Sequence, residues 1–551
     1  LYRTALFFQD RWKVSEALTM SLGLRYEYFG TPFNTLRTPA FTGLFNVDPV
    51  TLTGPFSQPN QVEKDQNNFA PSFGIAYSPS FTEGLLGRVF GERKTVLRAG
   101  YQIGYDSFFN NIASNAAVSS PNIISTTFTS VASGANPRGT ANFINQIPTT
   151  AAALTPLSAQ TLVAPDLVNP YYQRFSAGLQ RELPYNLIVD VSYVGSKGTK
   201  LYINEDANPL VRPELRITPP GFTGPTQGRL DNVQGGRTVR TNGGSSIYHS
   251  GQLEVRRRFA DNLSLTAAYT FSKLISNADE VFNSLGGGIA NSATFQTPAI
   301  LGGDRLDRAV SLFDRPHRAS FTYVYELPFF REQRGALGHI LGGFQISGVT
   351  TFESGVPFTI SNGVDADGIN GSGGDRPNLN PNGQRGVRAV PVVAPATLPN
   401  GSPNPNFGRI TGYINPDANN APIDPNTAQF IANPTFIAGN PFESGIPRVG
   451  TLGRNTQRTP GINNFNVNIL KRINVSESAR IEFRTEFYNI FNHPQFGQGS
   501  VSPFSPLGNP QGANFIAANT TGSTGGLFLQ PNTALSDGGG RVIRYQLKLI
   551  F

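Results

Sequence analysis

Few side chains in this sequence are spaced for chemistry, and the best of them would hold a cation rather than cut a bond. Asp365-Ala366-Asp367-Gly368-Ile369-Asn370-Gly371 alternates oxygen donors and adds a turn glycine, which suits Ca²⁺. The fifth position of that window is Ile369, however, and the twelfth, where a bidentate glutamate belongs, is Arg376. A plain Asp-Gly turn is therefore the simpler reading, with calcium held by Asp365, Asp367 and Asn370 as the alternative. The four histidines, His249, His317, His339 and His493, show no metal-ligand spacing with one another. His317 and His493 stand where strand-like segments meet long loops, so hydrogen bonding at a rim is expected of them. Glu482 and Glu486 could suggest paired-carboxylate hydrolysis, but they alternate with Arg480 and Arg484, and a charge-compensated wall is the simpler reading. There is no cysteine, which excludes disulfides, zinc thiolates and a thiol nucleophile. The glycine runs at 286–288 and 538–540 lack nucleotide-binding spacing. No catalytic residue and no enzyme activity are expected.

These residues belong to elements with a two-residue period. From Arg541 to the end, Ile543, Tyr545, Leu547, Leu549 and Phe551 share one face, and Arg544, Gln546 and Lys548 lie on the other. The pattern recurs. Ile481, Phe483 and Phe487 oppose Arg480, Glu482, Arg484 and Glu486; Leu97, Ala99 and Tyr101 oppose Arg98 and Gln102; Met20, Leu22 and Leu24 oppose Arg25 and Glu27. A strand greasy on one side and wet on the other is what a transmembrane β-barrel needs. The fold class expected is all-β, an antiparallel transmembrane barrel. Its interior candidates are Arg25, Glu27, Arg98, Gln252, Glu254, Arg256, Arg480, Glu482, Arg484, Glu486, Arg544 and Lys548.

Thirteen segments have the length a tilted membrane strand requires: 2–14, 18–29, 69–77, 95–105, 171–183, 187–201, 247–259, 263–275, 317–327, 344–360, 462–475, 479–492 and 541–551. Their connections alternate. Ser15-Glu16-Ala17, Pro184-Tyr185-Asn186, Ala260-Asp261-Asn262 and Ser476-Glu477-Ser478 are short, whereas 30–68, 106–170, 202–246, 276–316, 361–461 and 493–540 read as long loops. Short periplasmic turns and long outer loops mark bacterial barrels. Charges that fall on the apolar face, Asp10, Arg181, Arg257 and Lys471, all lie next to short turns, near one membrane interface where their cost is small. Pro71 fits less well and predicts a bulge or a late strand start.

Composition agrees. Among 551 residues, Gly 59, Pro 42 and Phe 41 against Met 1 and Trp 1 suit strands joined by turn-rich loops. Mean hydropathy is −0.22, as expected when loops and a wet face dilute a lipid face. No run approaches the roughly 20 apolar residues of a membrane helix. The charge of +8 is scattered, with Arg256-Arg257-Arg258 the one tight cluster, so no nucleic-acid partner is expected.

Several stretches resemble Oar-like TonB-dependent outer-membrane receptors: Leu452 to Gly461 with Asn463-Asn464-Phe465, Arg480 to Phe496, Phe7 to Val14, Leu22 to Phe29, and Asp314 to Phe329. The resemblance implies a 22-stranded barrel in a Gram-negative outer membrane, filled by an N-terminal plug. Residues 1–551 would then form one barrel domain carrying strands ten to twenty-two. The opening Leu1-Tyr2-Arg3-Thr4 shows no secretory signal, so we expect the plug, the first strands, the coupling box and any carboxypeptidase-regulatory-like domain to lie outside this sequence. Expected partners are outer-membrane lipid and lipopolysaccharide, a TonB-type energising complex, and the barrel-insertion machinery reading the C-terminal aromatic strand. The implied function is capture of a ligand by outer loops and its passage through a plug-gated polar lumen. A surface adhesion or matrix-anchoring barrel without uptake is the alternative.

Overall fold

A computed structural model describes residues 3–31, 62–107, 110–119, 157–279, 307–360, 362–368, 375–476, 478–494 and 540–551. Most of the long connections at 30–68, 106–170, 276–316 and 493–540 fall outside these residues.

Thirteen strands follow one antiparallel path in chain order: β1 Thr4–Lys13, β2 Leu18–Tyr28, β3 Phe69–Tyr77, β4 Thr95–Tyr105, β5 Tyr171–Leu183, β6 Leu187–Asp206, β7 Arg237–Ala260, β8 Leu263–Ser276, β9 His317–Glu326, β10 Phe344–Glu353, β11 Ile462–Asn474, β12 Arg480–Tyr488 and β13 Val542–Ile550. Every neighbour pair is sequential, so each strand pairs with the ones before and after it along this path. The Asp261-Asn262 turn has φ of 46° and 71°, the positive pair that a two-residue hairpin needs to match strand twist. At the first turn the Ser15 hydroxyl accepts from the amides of Ala17 and Leu18 at 3.2 and 3.1 Å. Among the described residues β1 and β13 end the path without pairing to each other.

The register keeps a single apolar face through all thirteen strands. Paired residues share a face in an antiparallel sheet. One chain of pairs runs Leu547↔Phe483↔Lys471↔Phe344. A second runs Ala319↔Tyr269↔Leu253↔Val191↔Leu179↔Leu97. Among the described residues large side chains on this face lie open: Phe8 is 73% exposed, Tyr545 69% and Leu547 66%. So large an uncovered apolar surface requires lipid or a partner. On β8 no charge occurs on this face from Leu263 until Lys273. Ten residues at about 3.3 Å and a tilt near ~40° rise about 25 Å, the height of a barrel's hydrocarbon band.

Both borders of the band are polar. At the long-loop border Tyr193 Oη lies 2.6 Å from His249 Nδ1, and Tyr269 Oη lies 2.8 Å from His317 Nδ1. At the short-turn border three of the four expected charges, Arg257, Arg181 and Lys471, have partners among the described residues. Arg257 pairs with Asp261 at 2.9 Å. Arg181 donates to the Arg88 carbonyl at 2.7 Å, in the last turn of the helix Gly84–Phe90. Lys471 donates to the carbonyls of His339 and Ile340 at 2.6 and 3.0 Å, in the helix Gly335–Leu341. A cation at a helix C-terminus satisfies orphan carbonyls and the dipole together. These two short helices expose Leu85, Leu86, Leu337 and Ile340, as elements lying along an interface do.

Four expectations need correction. Segment 344–360 stops as a strand at Glu353, because Gly355 and Pro357 follow and the chain turns to meet 457–459. Pro71 neither bulges nor delays β3: it stands in register with Leu24, and the ladder to β4 starts only at Ser72, so one flank needs no donor there. Segment 361–461 is not merely a loop. Asn378–Leu379, Ala428–Ile431, Gln384–Val393, Ile410–Asn415 and Ala421–Pro422 form a second sheet, in that spatial order. Its core is Val390 and Ala432 against Val364, Val392 and Ile414. β6 and β7 also run past their expected ends, shifting register between Gly198 and Ile203 where they leave the band. Among the described residues the buried apolar clusters are three: two belong to or adjoin segment 361–461, and the third gathers Val62, Ile112, Ala116, Val163 and Leu167 around Tyr202, near the end of β6.

Candidate functional site

The other face of the large sheet is mostly polar, with Leu470, Val349 and Val324 among its apolar exceptions. The twelve residues expected to share a side do so, since the pairings Glu482↔Lys548, Arg484↔Gln546, Glu486↔Arg544 and Glu254↔Asp190 place them opposite polar neighbours. Most are compensated in short range. Arg25 binds Glu27 at 2.7 Å, Arg256 binds Glu254, Arg484 lies 3.7 Å from Glu486, and Arg98 donates to Gln180 Oε1 at 3.0 Å. Gln252 donates to Ser250 Oγ at 3.3 Å. Near the short turns the groups join: Arg472 bridges Glu326 at 3.2 Å and Glu482 at 3.3 Å, and Arg480 reaches Glu482 at 3.6 Å. Sequence reading missed Arg472. Asn464, Asn466 and Asn468 alternate with Phe465, Val467 and Ile469, and extending that period across Leu470 would have found it.

Half-exposed pairs in a wet wall contribute little to stability. Glu486→Gln is accordingly expected to change unfolding free energy by no more than about 1 kcal/mol in urea titrations; a larger loss would mean that this face is dry.

At the long-loop end the motifs that carried the resemblance meet one another. Arg458, in 452–461, binds Asp314, in 314–329, through the carboxylate, and donates to its main-chain oxygen at 3.2 Å. Asp314 also accepts from the Leu274 amide at 2.6 Å, at the top of β8. Arg454 is buried; its Nη2 donates to the Ser276 carbonyl at 2.7 Å and its Nη1 lies 3.6 Å from Asp279. Asn455 donates to the Val310 carbonyl at 2.7 Å and exchanges hydrogen bonds with Thr359. Arg315 and Arg318 converge on Glu353 at 2.8 and 3.5 Å. Four chain segments above β8, β9, β10 and β11 are thus tied by one arginine-rich stretch. In 480–496, Asn489 accepts from and donates to the His493 backbone at 2.9 and 3.0 Å.

The second sheet sits on this clamp. Phe430 packs with Phe358, Ile360 and Leu452. Arg388 is fully buried and grips Asp417 with two bonds of 2.9 Å, the bidentate fork a guanidinium forms best. Asp365 and Asp367 follow Val364, which packs on the core of this sheet. Asn370 falls outside the described residues. The structure adds Asp375, a carboxylate sequence reading missed because it stands one position short of the glutamate that a calcium loop requires. One oxygen from each of Asp365, Asp367 and Asp375 lies within 4.8 Å of the others. Burial, with the charges of Asp367 and Asp365, pushes the Asp375 carboxyl up to about 8.

Residues 1–528 match the model of a family described as outer membrane beta barrel domain. A comparison with curated protein sequences found no match. Among solved structures, the chain is similar to the outer membrane transporter YddB from Escherichia coli, at 10% identity over 89% of this chain and 41% of the other, with a TM-score of 0.40. It is also similar to the ferripyoverdine receptor of Pseudomonas aeruginosa (9%, 91% and 36%, 0.34) and to a mutant ferric enterobactin receptor from the same organism (10%, 100% and 44%, 0.39). The chain spans less than half the length of each.

Proposed function

The chain belongs to the outer membrane β-barrel domain family and lies in the Gram-negative outer membrane, and from that premise we propose that it is the channel wall of an energy-coupled, TonB-dependent type of receptor. The observation that carries the reading is the two-faced sheet, with one register holding an uncovered apolar face and a charge-compensated wet one over thirteen strands. The wet face is the lumen wall, where Arg/Glu pairs offer weak successive contacts to a passing ligand. The clamp and second sheet form a folded outer cap for ligand capture, and folded outer segments of this length are a usual seat of binding. The motif resemblance to Oar-like receptors supplies the energised class. Hydrocarbon cannot satisfy free strand edges, so this reading requires the outer edges of β1 and β13 to be paired in the membrane, and on it a plug domain fills the enclosed space.

The test needs no known ligand. Native full-length protein in a planar lipid bilayer is expected to pass almost no current, and to conduct steadily once the plug is deleted. A steady open conductance in the untouched protein would instead make it a passive porin.

A further inference from the structure

We infer that Asp365, Asp367 and Asp375 form a Ca²⁺ site that staples the turn 365–368 to the start of the second sheet. The inference stands on local geometry and does not depend on the transport reading.

Three carboxylate oxygens lie within 4.8 Å of one another, the widest spacing two ligands of one ion reach when each is about 2.4 Å from it. Asp367 and Asp375 are buried, at 8% and 5% exposure. The Asp375 carboxylate accepts from the backbone amides of Ala366, at 3.2 Å to Oδ1, and Asp367, while its Oδ2 is buried with no hydrogen-bond partner among the described residues. A buried carboxylate oxygen without a donor is costly unless a cation meets it.

Other charges nearby do not replace the ion. Arg376 is the adjacent cation, but its Nη1 lies 3.9 Å from Asp307 and it serves that carboxylate first. The backbone around the cluster is already fixed: Asp365 Oδ1 accepts from the Gly368 amide at 2.6 Å, and the Ala366 carbonyl accepts from the Arg448 amide at 3.0 Å. The Asp375 carbonyl accepts from the Asn362 amide at 2.7 Å. The donors are preorganised rather than gathered by the ion.

The donor chemistry selects the metal. An all-carboxylate set without imidazole or thiolate suits hard cations. Ca²⁺ accepts irregular protein cages, whereas Mg²⁺ demands tighter octahedral geometry and keeps its waters. An affinity of about 10⁻⁴–10⁻³ M, usual for extracellular modules, is expected.

The experiment uses native protein purified free of lipopolysaccharide, which itself binds Ca²⁺, stripped with chelator and titrated calorimetrically in detergent with CaCl₂ or MgCl₂. One saturable Ca²⁺ per chain is expected, with Mg²⁺ weaker and with affinity reduced more than about tenfold in Asp375→Asn. Absence of saturable Ca²⁺ binding overturns the site, as does wild-type affinity in Asp375→Asn. Should that variant not fold, hydrogen exchange on the wild type decides. Ca²⁺-dependent protection confined to 362–368 and 375–378 supports the site, and unchanged exchange there overturns it.

Discussion

Leu253→Arg is expected to destabilise the inserted protein by about 2–4 kcal/mol, the cost of a cation at the middle of a bilayer. Leu253 lies on β7 between Val191 and Tyr269, four residues above Arg257 and four below His249. At about 2.5 Å of height per tilted residue, that is roughly 10 Å from either border. An arginine there cannot reach water without distorting the sheet or the bilayer. Arg257, on the same face of the same strand, is tolerated because it sits at the border and has Asp261 at 2.9 Å. Urea titration of folding into lipid vesicles measures the difference. A change below about 0.5 kcal/mol would show that this face does not meet hydrocarbon, and the membrane reading would fall with it.

Arg454→Ala is expected to cost about 3–5 kcal/mol of the outer cap's local stability while leaving the sheet folded. Removing one partner of a buried ion pair leaves the other charge uncompensated, and that penalty exceeds the worth of the pair itself. Arg454 and Asp279 have side-chain exposures of 1% and 0%. Asp279 would keep bonds from the Ser276 hydroxyl at 2.6 Å and the Leu312 amide at 3.1 Å, but no cation. The variant should become sensitive to limited proteolysis between 361 and 461 and still migrate as a heat-modifiable folded barrel. Proteolysis at the wild-type rate would show that the cap is held by its apolar cluster of Phe358, Ile360, Phe430 and Leu452 rather than by the arginine clamp.

The two variants probe opposite ends of one design. A strand that crosses lipid is stabilised face by face, and any one residue matters by depth. The cap is a small aqueous fold with few apolar residues, so buried polar pairs hold it, and removing one of them loosens several segments at once.

The difference also explains what could be read from the sequence. Period-two alternation is local, and wherever water and lipid lie on opposite sides it cannot be hidden by packing. The ends of β3, β4 and β5 were therefore legible to the residue, as were the twelve polar-face residues from Arg25 to Lys548. Pro71 misled because proline's effect depends on which flank of the strand is paired, and that is a neighbour's property. The cap was illegible because Asn-, Pro- and Gly-rich segments with two- to ten-residue strands carry no periodic signal. Their order, Asn378–Leu379 beside Ala428–Ile431 beside Gln384–Val393, is set by contacts across some fifty residues.

By itself, then, the sequence determined the class of the membrane sheet, the place of its thirteen strands and which residues share a face, because these follow from backbone geometry in two immiscible solvents. Only the tertiary structure decided that Arg458 meets Asp314, that Arg454 is buried under Ser276 and Asp279, and that Asp375 joins Asp365 and Asp367. Those meetings depend on loop paths above the membrane, where side-chain partners far apart in the chain, rather than a repeating pattern, choose the conformation.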